Sequence, residues 1–188
     1  MLRLMMSFAL AGLLLAPAVS AADPGSDCLQ SGDGIAPFTV TKIAGAEGDG
    51  VDAGKELCYR CRYGQSPMVM VFTRSTDGKL GKLVKAIDSA VQENESEKLK
   101  GLVTFLGEDR DRVENAASKF AKKSGAKNIP FVVASDLESG PSRYKISEDA
   151  AVTVVVANES KVVAAHQFTK ASDINVAAVV GAVTEMLN

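Results

Sequence analysis

The sequence predicts an α/β domain on a mixed sheet, partly parallel with one antiparallel pair and flanked by helices. Three observations carry this reading. Met68 to Phe72 is a continuous apolar run, as in a strand buried on both faces. The chain after it switches repeatedly between helix-period and strand-period patterning, and it closes with a hairpin and a helix.

Taken in order, Met1 to Arg3 carries a positive charge, and Phe8 to Ala16 is apolar and stops at Pro17. Val19-Ser20-Ala21 then places small residues where a signal peptidase cuts. Residues 1–21 therefore read as a removable export signal, which places the mature protein in the periplasm or outside the cell. Residues 22–36, rich in Gly, Ser and Asp, read as a flexible N-terminal segment, and residues 37–188 as the domain. Phe38 to Ile43 alternates as a half-buried strand, and Gly45 to Gly54 is turn-forming. Leu80, Leu83, Val84, Ile87 and Val91 mark a helix face that Ser75, Thr76 or Asp77 could cap. A strand follows over Leu102 to Leu106. Val113, Ala116, Ala117, Phe120 and Ala121 mark a second helix ending at Gly125, and Ile129 to Ala134 is the next strand. Val152 to Val156 and Lys161 to Phe168 form a hairpin around Asn158-Glu159-Ser160. The last helix is expected from about Ser172, with Val176, Val179, Val180, Val183 and Leu187 inward.

Composition narrows the function. Of 188 residues, 46% are hydrophobic and 23% charged, which excludes a disordered or low-complexity chain. Lys and Arg number 21 against 23 Asp and Glu, and the signs are interspersed, so no basic field exists to hold nucleic acid. No run after the leader is long enough to span a membrane. With three cysteines and one histidine, no cofactor is expected.

The cysteines carry the chemistry that remains. In an oxidising compartment, Cys28, Cys58 and Cys61 should give one bridge and one leftover thiol. A bridge to Cys28 would close a long loop and stabilise by roughly 3 to 4 kcal/mol, whereas the short Cys58–Cys61 ring would give nearer ~2. A bridge within Cys58-x-x-Cys61 is the arrangement expected where reducibility matters more than stability. Lys55, Arg60 and Arg62 would favour a thiolate there, and Tyr59, Arg60, Arg62 and Tyr63 could form a recognition surface or be strand-edge residues with solvated heads. A straight strand would put Cys58 and Cys61 on opposite faces, so their pairing demands a local turn.

The element order, with an N-terminal hairpin, resembles the thioredoxin-like fold in its peroxiredoxin and thiol-specific antioxidant form. The residues that carry the likeness are Met68-Val69-Met70-Val71-Phe72 leading into a helix, Ile129-Pro130-Phe131-Val132-Val133-Ala134-Ser135-Asp136 followed by Tyr144-Lys145-Ile146, and the hairpin strands. The resemblance implies a central mixed sheet flanked by helices with an N-terminal β-hairpin extension. It also implies reactive cysteines just after the strand at Met68 to Phe72, where this chain has Thr73-Arg74-Ser75-Thr76-Asp77-Gly78-Lys79. The family's proline before the first hairpin strand is replaced by Asp149-Ala150-Ala151. Peroxidase activity is therefore not expected. Three readings stay open: a thiol-disulfide redox protein working on a protein thiol or disulfide partner through Cys58 and Cys61; a non-catalytic module with a structural disulfide; and metal binding by Cys28, Cys58, Cys61 and His166.

Overall fold

The computed structural model describes residues 28–188. The expected leader and the segment before Cys28 lie outside the described residues. Seven strands are present among them: β1 (Val40–Gly45), β2 (Glu56–Leu57), β3 (Met68–Thr73), β4 (Lys100–Phe105), β5 (Pro130–Ala134), β6 (Val152–Asn158) and β7 (Lys161–Phe168). They form one sheet in the order β2-β1-β5-β4-β3-β6-β7. β3, β4 and β5 run parallel, and the remaining neighbours pair antiparallel.

The path of the chain decides how each face is covered. From β3, the helices α2 (Gly78–Glu93) and α3 (Arg110–Ser124) carry the chain to β4 and then β5, each one strand further in the same direction. Right-handed crossovers then put both helices on one face, where α4 (Val176–Leu187) joins them. Because strand side chains alternate, Val69 and Val71 of β3 face these helices. Met68, Met70 and Phe72 face the other side. Among the described residues no long helix covers that second face. Its cover is the N-terminal stretch with Leu29 and Ile35, a one-turn helix α1 (Tyr59–Tyr63), and the return from β5 to β6 bearing Tyr144.

Phe72 and Ile87 are core as expected, at 1% and 2% exposure. The hairpin turn sits where predicted, with Glu159 and Ser160 both at positive φ, as a two-residue turn between twisted strands requires. Gly125 closes α3 in the left-handed region. Three boundaries move. Residues 29–36 are part of the domain: Gly32 donates to Val162 O, Val162 to Asp33 O and Ile35 to Ser160 O, so the segment lies along the end of β7 and is no free tail. β1 begins at Val40, where pairing with β5 and β2 starts. The last helix begins at Val176, capped by Asn175, because Ser172 lies in a 3-10 turn that the extended Ile174 interrupts.

Phe72 is flanked in register by Thr104 on β4 and Thr153 on β6. Both threonines are essentially fully buried, and neither hydroxyl has a hydrogen-bond partner among the described residues. An unpartnered buried hydroxyl costs about 1 to 3 kcal/mol, and valine has nearly the same shape. Thr104→Val and Thr153→Val should each raise the urea midpoint, by about 1 kcal/mol in stability; a lowered midpoint would show that the hydroxyls are satisfied.

Candidate functional site

Leu57 is the last residue of β2 to pair with β1, and Cys58 after it keeps an extended conformation and caps α1. One helical turn later comes Cys61, so the turn that pairing demanded is α1 itself. Cys58 and Cys61 form a disulfide with their Cα atoms 5.2 Å apart. The Cys61 N–H also donates to Cys58 Sγ at 3.0 Å. Gly64 ends the helix at φ 61° and ψ −122°, a conformation closed to side chains in practice, and this turns the chain toward β3.

The residues around the cysteines hold α1 against the sheet. Tyr59 is 1% exposed and donates its hydroxyl to the Asp49 carboxylate at 2.5 Å, while Arg62 donates to the Asp49 carbonyl at 2.6 Å. Asp49 also accepts from Lys42 Nζ at 2.7 Å and the Val51 amide at 2.8 Å. On the other side, Arg60 reaches Ser160 Oγ in the β6–β7 turn at 2.5 Å and the Gly64 carbonyl at 3.3 Å, its buried Nε having no partner among the described residues. The Tyr63 hydroxyl donates to Gly101 O of β4, and its ring lies 5.5 Å from that of Tyr59. Two sequence expectations change here. Tyr59 is buried and Tyr63 half-buried, and both are anchored inward through their hydroxyls, so neither is a strand-edge residue with a solvated head. The guanidiniums of Arg60 and Arg62 are engaged with Ser160, Gly64 and Asp49, and the polar contact to Cys58 sulfur comes from a backbone amide.

Electrostatics follow from these contacts. Burial is the largest single influence on Asp49 and opposes its ionisation. The Lys42 ammonium, the Tyr59 hydroxyl and the Val51 amide together outweigh it and hold the carboxyl below its ordinary range. Burial, and then the bond to Asp49, push the Tyr59 hydroxyl far up; burial does the same to Tyr63. Asp49 was not foreseen as part of the site. Its side-chain partners Lys42 and Tyr59 lie seven and ten residues away, so no local pattern marks it.

The four residues Cys28, Cys58, Cys61 and His166 are not assembled as a ligand set. Among the described residues no three His, Cys, Asp or Glu side chains converge for a metal, and Cys58 and Cys61 are bonded to each other. Cys28 is a free, half-buried thiol, and His166 stacks on Phe168 in β7.

No family model and no curated protein matches the chain. Solved structures do. A protein of Chlorobium tepidum, provisionally described as the thiol:disulfide interchange protein DsbE, is 16% identical with a TM-score of 0.61 over 85% of this chain and 99% of its own. Mycobacterium tuberculosis AhpC is 15% identical with a TM-score of 0.60 over 85% and 93%. The fold is thioredoxin-like. A Bacteroides thetaiotaomicron protein, provisionally described as a protein disulfide isomerase, is also similar, at 19% identity and a TM-score of 0.59 over 85% and 91%. In this thioredoxin-like domain the stretch where the family resemblance implies cysteines, Thr73 to Lys79, holds no thiol and is tied to the β5–β6 return by Arg74. Arg74 donates to the carbonyls of Glu138, Ser147 and Ala150, and its backbone amide to Ala151 O. That stretch leads into α2 on the helix-covered face, whereas the cysteine pair rides on α1 over the opposite face.

Proposed function

We propose that the protein is an exported, periplasmic or secreted thiol-disulfide exchange protein that works through Cys58 and Cys61 on a thiol or disulfide of another protein. The observation that carries this reading is the amide of Cys61 donating to Cys58 Sγ across a Cys-x-x-Cys bridge. Such a donor stabilises charge on that sulfur when the bridge opens, lowering the cost of reduction. The anchoring of α1 supports the same reading. Tyr59, Arg60, Arg62 and Tyr63 tie the helix to three separate parts of the scaffold without help from the disulfide. The bridge can then open and close while its carrier stays in place, which a purely structural disulfide would not need. The leader-like residues 1–21 support export, and among the described residues no helix is long and apolar enough to cross a membrane.

The test is catalysed exchange. Oxidised protein lacking residues 1–21, incubated with a reduced unfolded polypeptide bearing paired thiols, should transfer its disulfide well above the buffer rate. Cys58→Ser and Cys61→Ser should each abolish the transfer. With a reducing system added, hydrogen peroxide should not be consumed faster than by a cysteine-free control, because Thr73 to Lys79 holds no thiol. Transfer at the buffer rate, with melting temperature falling clearly on mild reduction, would favour the structural bridge instead.

A further inference from the structure

The two cysteines of the bridge are not equivalent. Cys61 is solvent-exposed, whereas Cys58 is half-buried between the paired Leu57 and the buried Tyr59. The hydrogen bond between the two residues has a direction as well: it runs from the Cys61 amide to Cys58 sulfur. Thiol-disulfide exchange is fastest when the attacked sulfur is accessible and the departing sulfur is the better-stabilised thiolate.

We infer that the exposed Cys61 is the sulfur that forms the mixed disulfide with a dithiol partner, and that Cys58, held by the Cys61 amide, is the sulfur that leaves. The inference rests on the exchange reading above and gives it a polarity. One partner thiol loses its proton to solvent, and its thiolate attacks Cys61 Sγ. The Sγ–Sγ bond breaks, and its electron pair departs on Cys58 Sγ, which receives the Cys61 N–H. The partner's second thiolate then attacks the partner sulfur in the mixed disulfide and releases Cys61, which takes a proton from water. The partner leaves as a disulfide and the Cys58–Cys61 pair has gained two electrons. Arg62 and Tyr59 act as positioning residues, since both fix through Asp49 the helical turn that sets Cys58 sulfur on the amide.

Glutathione is the probe, because as a monothiol it makes the first step but supplies no second thiol in the same molecule. The oxidised protein is mixed with reduced glutathione, quenched with acid within seconds, alkylated and mapped by mass spectrometry. Glutathione on Cys61 with alkylated Cys58 should exceed the reverse by at least about tenfold. In reduced single-cysteine variants, the lone Cys58 of Cys61→Ala should titrate at least about one pH unit below the lone Cys61 of Cys58→Ala, followed by thiolate absorbance. An adduct mainly on Cys58, an even split, or equal titration of the two thiols would overturn the polarity and leave the exchange reading standing. No adduct on either cysteine, with the bridge intact, would overturn both.

Discussion

Asp49→Ala is expected to destabilise the domain by about 3 to 5 kcal/mol, a large part of the total stability of a chain this size. The Lys42 side chain is 3% exposed and that of Asp49 15%, so truncating the carboxylate leaves a buried ammonium with only the carbonyls of Ala46 and Val51. The same substitution frees the Tyr59 hydroxyl from its acceptor and loosens α1. Urea melts of wild type and Asp49→Ala measure the difference, and a loss below about 1 kcal/mol would show that Lys42 is solvated. Acid adds a second signature. Because the folded carboxyl is held below its ordinary value, its contribution is complete above about pH 4 and is lost as pH falls through that lowered value. Asp49→Asn should therefore flatten the acid limb of the stability profile relative to wild type.

Phe72→Ala is expected to cost about 3 to 5 kcal/mol, because the ring fills the centre of the thinly covered face. Its centroid lies 5.0 Å from that of Tyr144 and 5.6 Å from that of Phe38, and those two rings come from the crossing segment and the N-terminal stretch. Neither neighbour belongs to a regular helix that could slide to fill the space. Ile87→Ala on the helix-covered face should cost about 2 to 5 kcal/mol, since α2 packs between α3 and α4 there. Changes below ~0.5 kcal/mol at both positions would contradict the assignment of the two faces.

The parts of the fold that were legible are those with a periodic signal. The five apolar residues of β3 and the stripes Leu80-Leu83-Val84-Ile87 and Val113-Ala117-Phe120-Ala121 named their own elements and inward faces. What escaped has no period to read. Residues 32–35 join the start of β7 chiefly through backbone groups, so their Gly and Asp content mimics a free tail. α1 has five residues, too few to display a helical repeat, and Arg flanking each Tyr read as a solvated edge. The Cys58–Cys61 pairing was one of three open choices in sequence. It is decided by a turn that forms because Tyr59, Arg60, Arg62 and Tyr63 each find a partner far along the chain.

The central claim is that the Cys58–Cys61 bridge is built to be reduced and reformed by a protein partner. Its most direct test is the reduction potential, obtained by equilibrating the protein lacking residues 1–21 in graded mixtures of reduced and oxidised glutathione, or of dithiothreitol, and counting alkylated cysteines. Stabilisation of Cys58 thiolate predicts a value in the range of exchange proteins, above about −270 mV, with the fold retained in both states. A bridge that stays closed below about −300 mV, or a domain that unfolds as it opens, would contradict it.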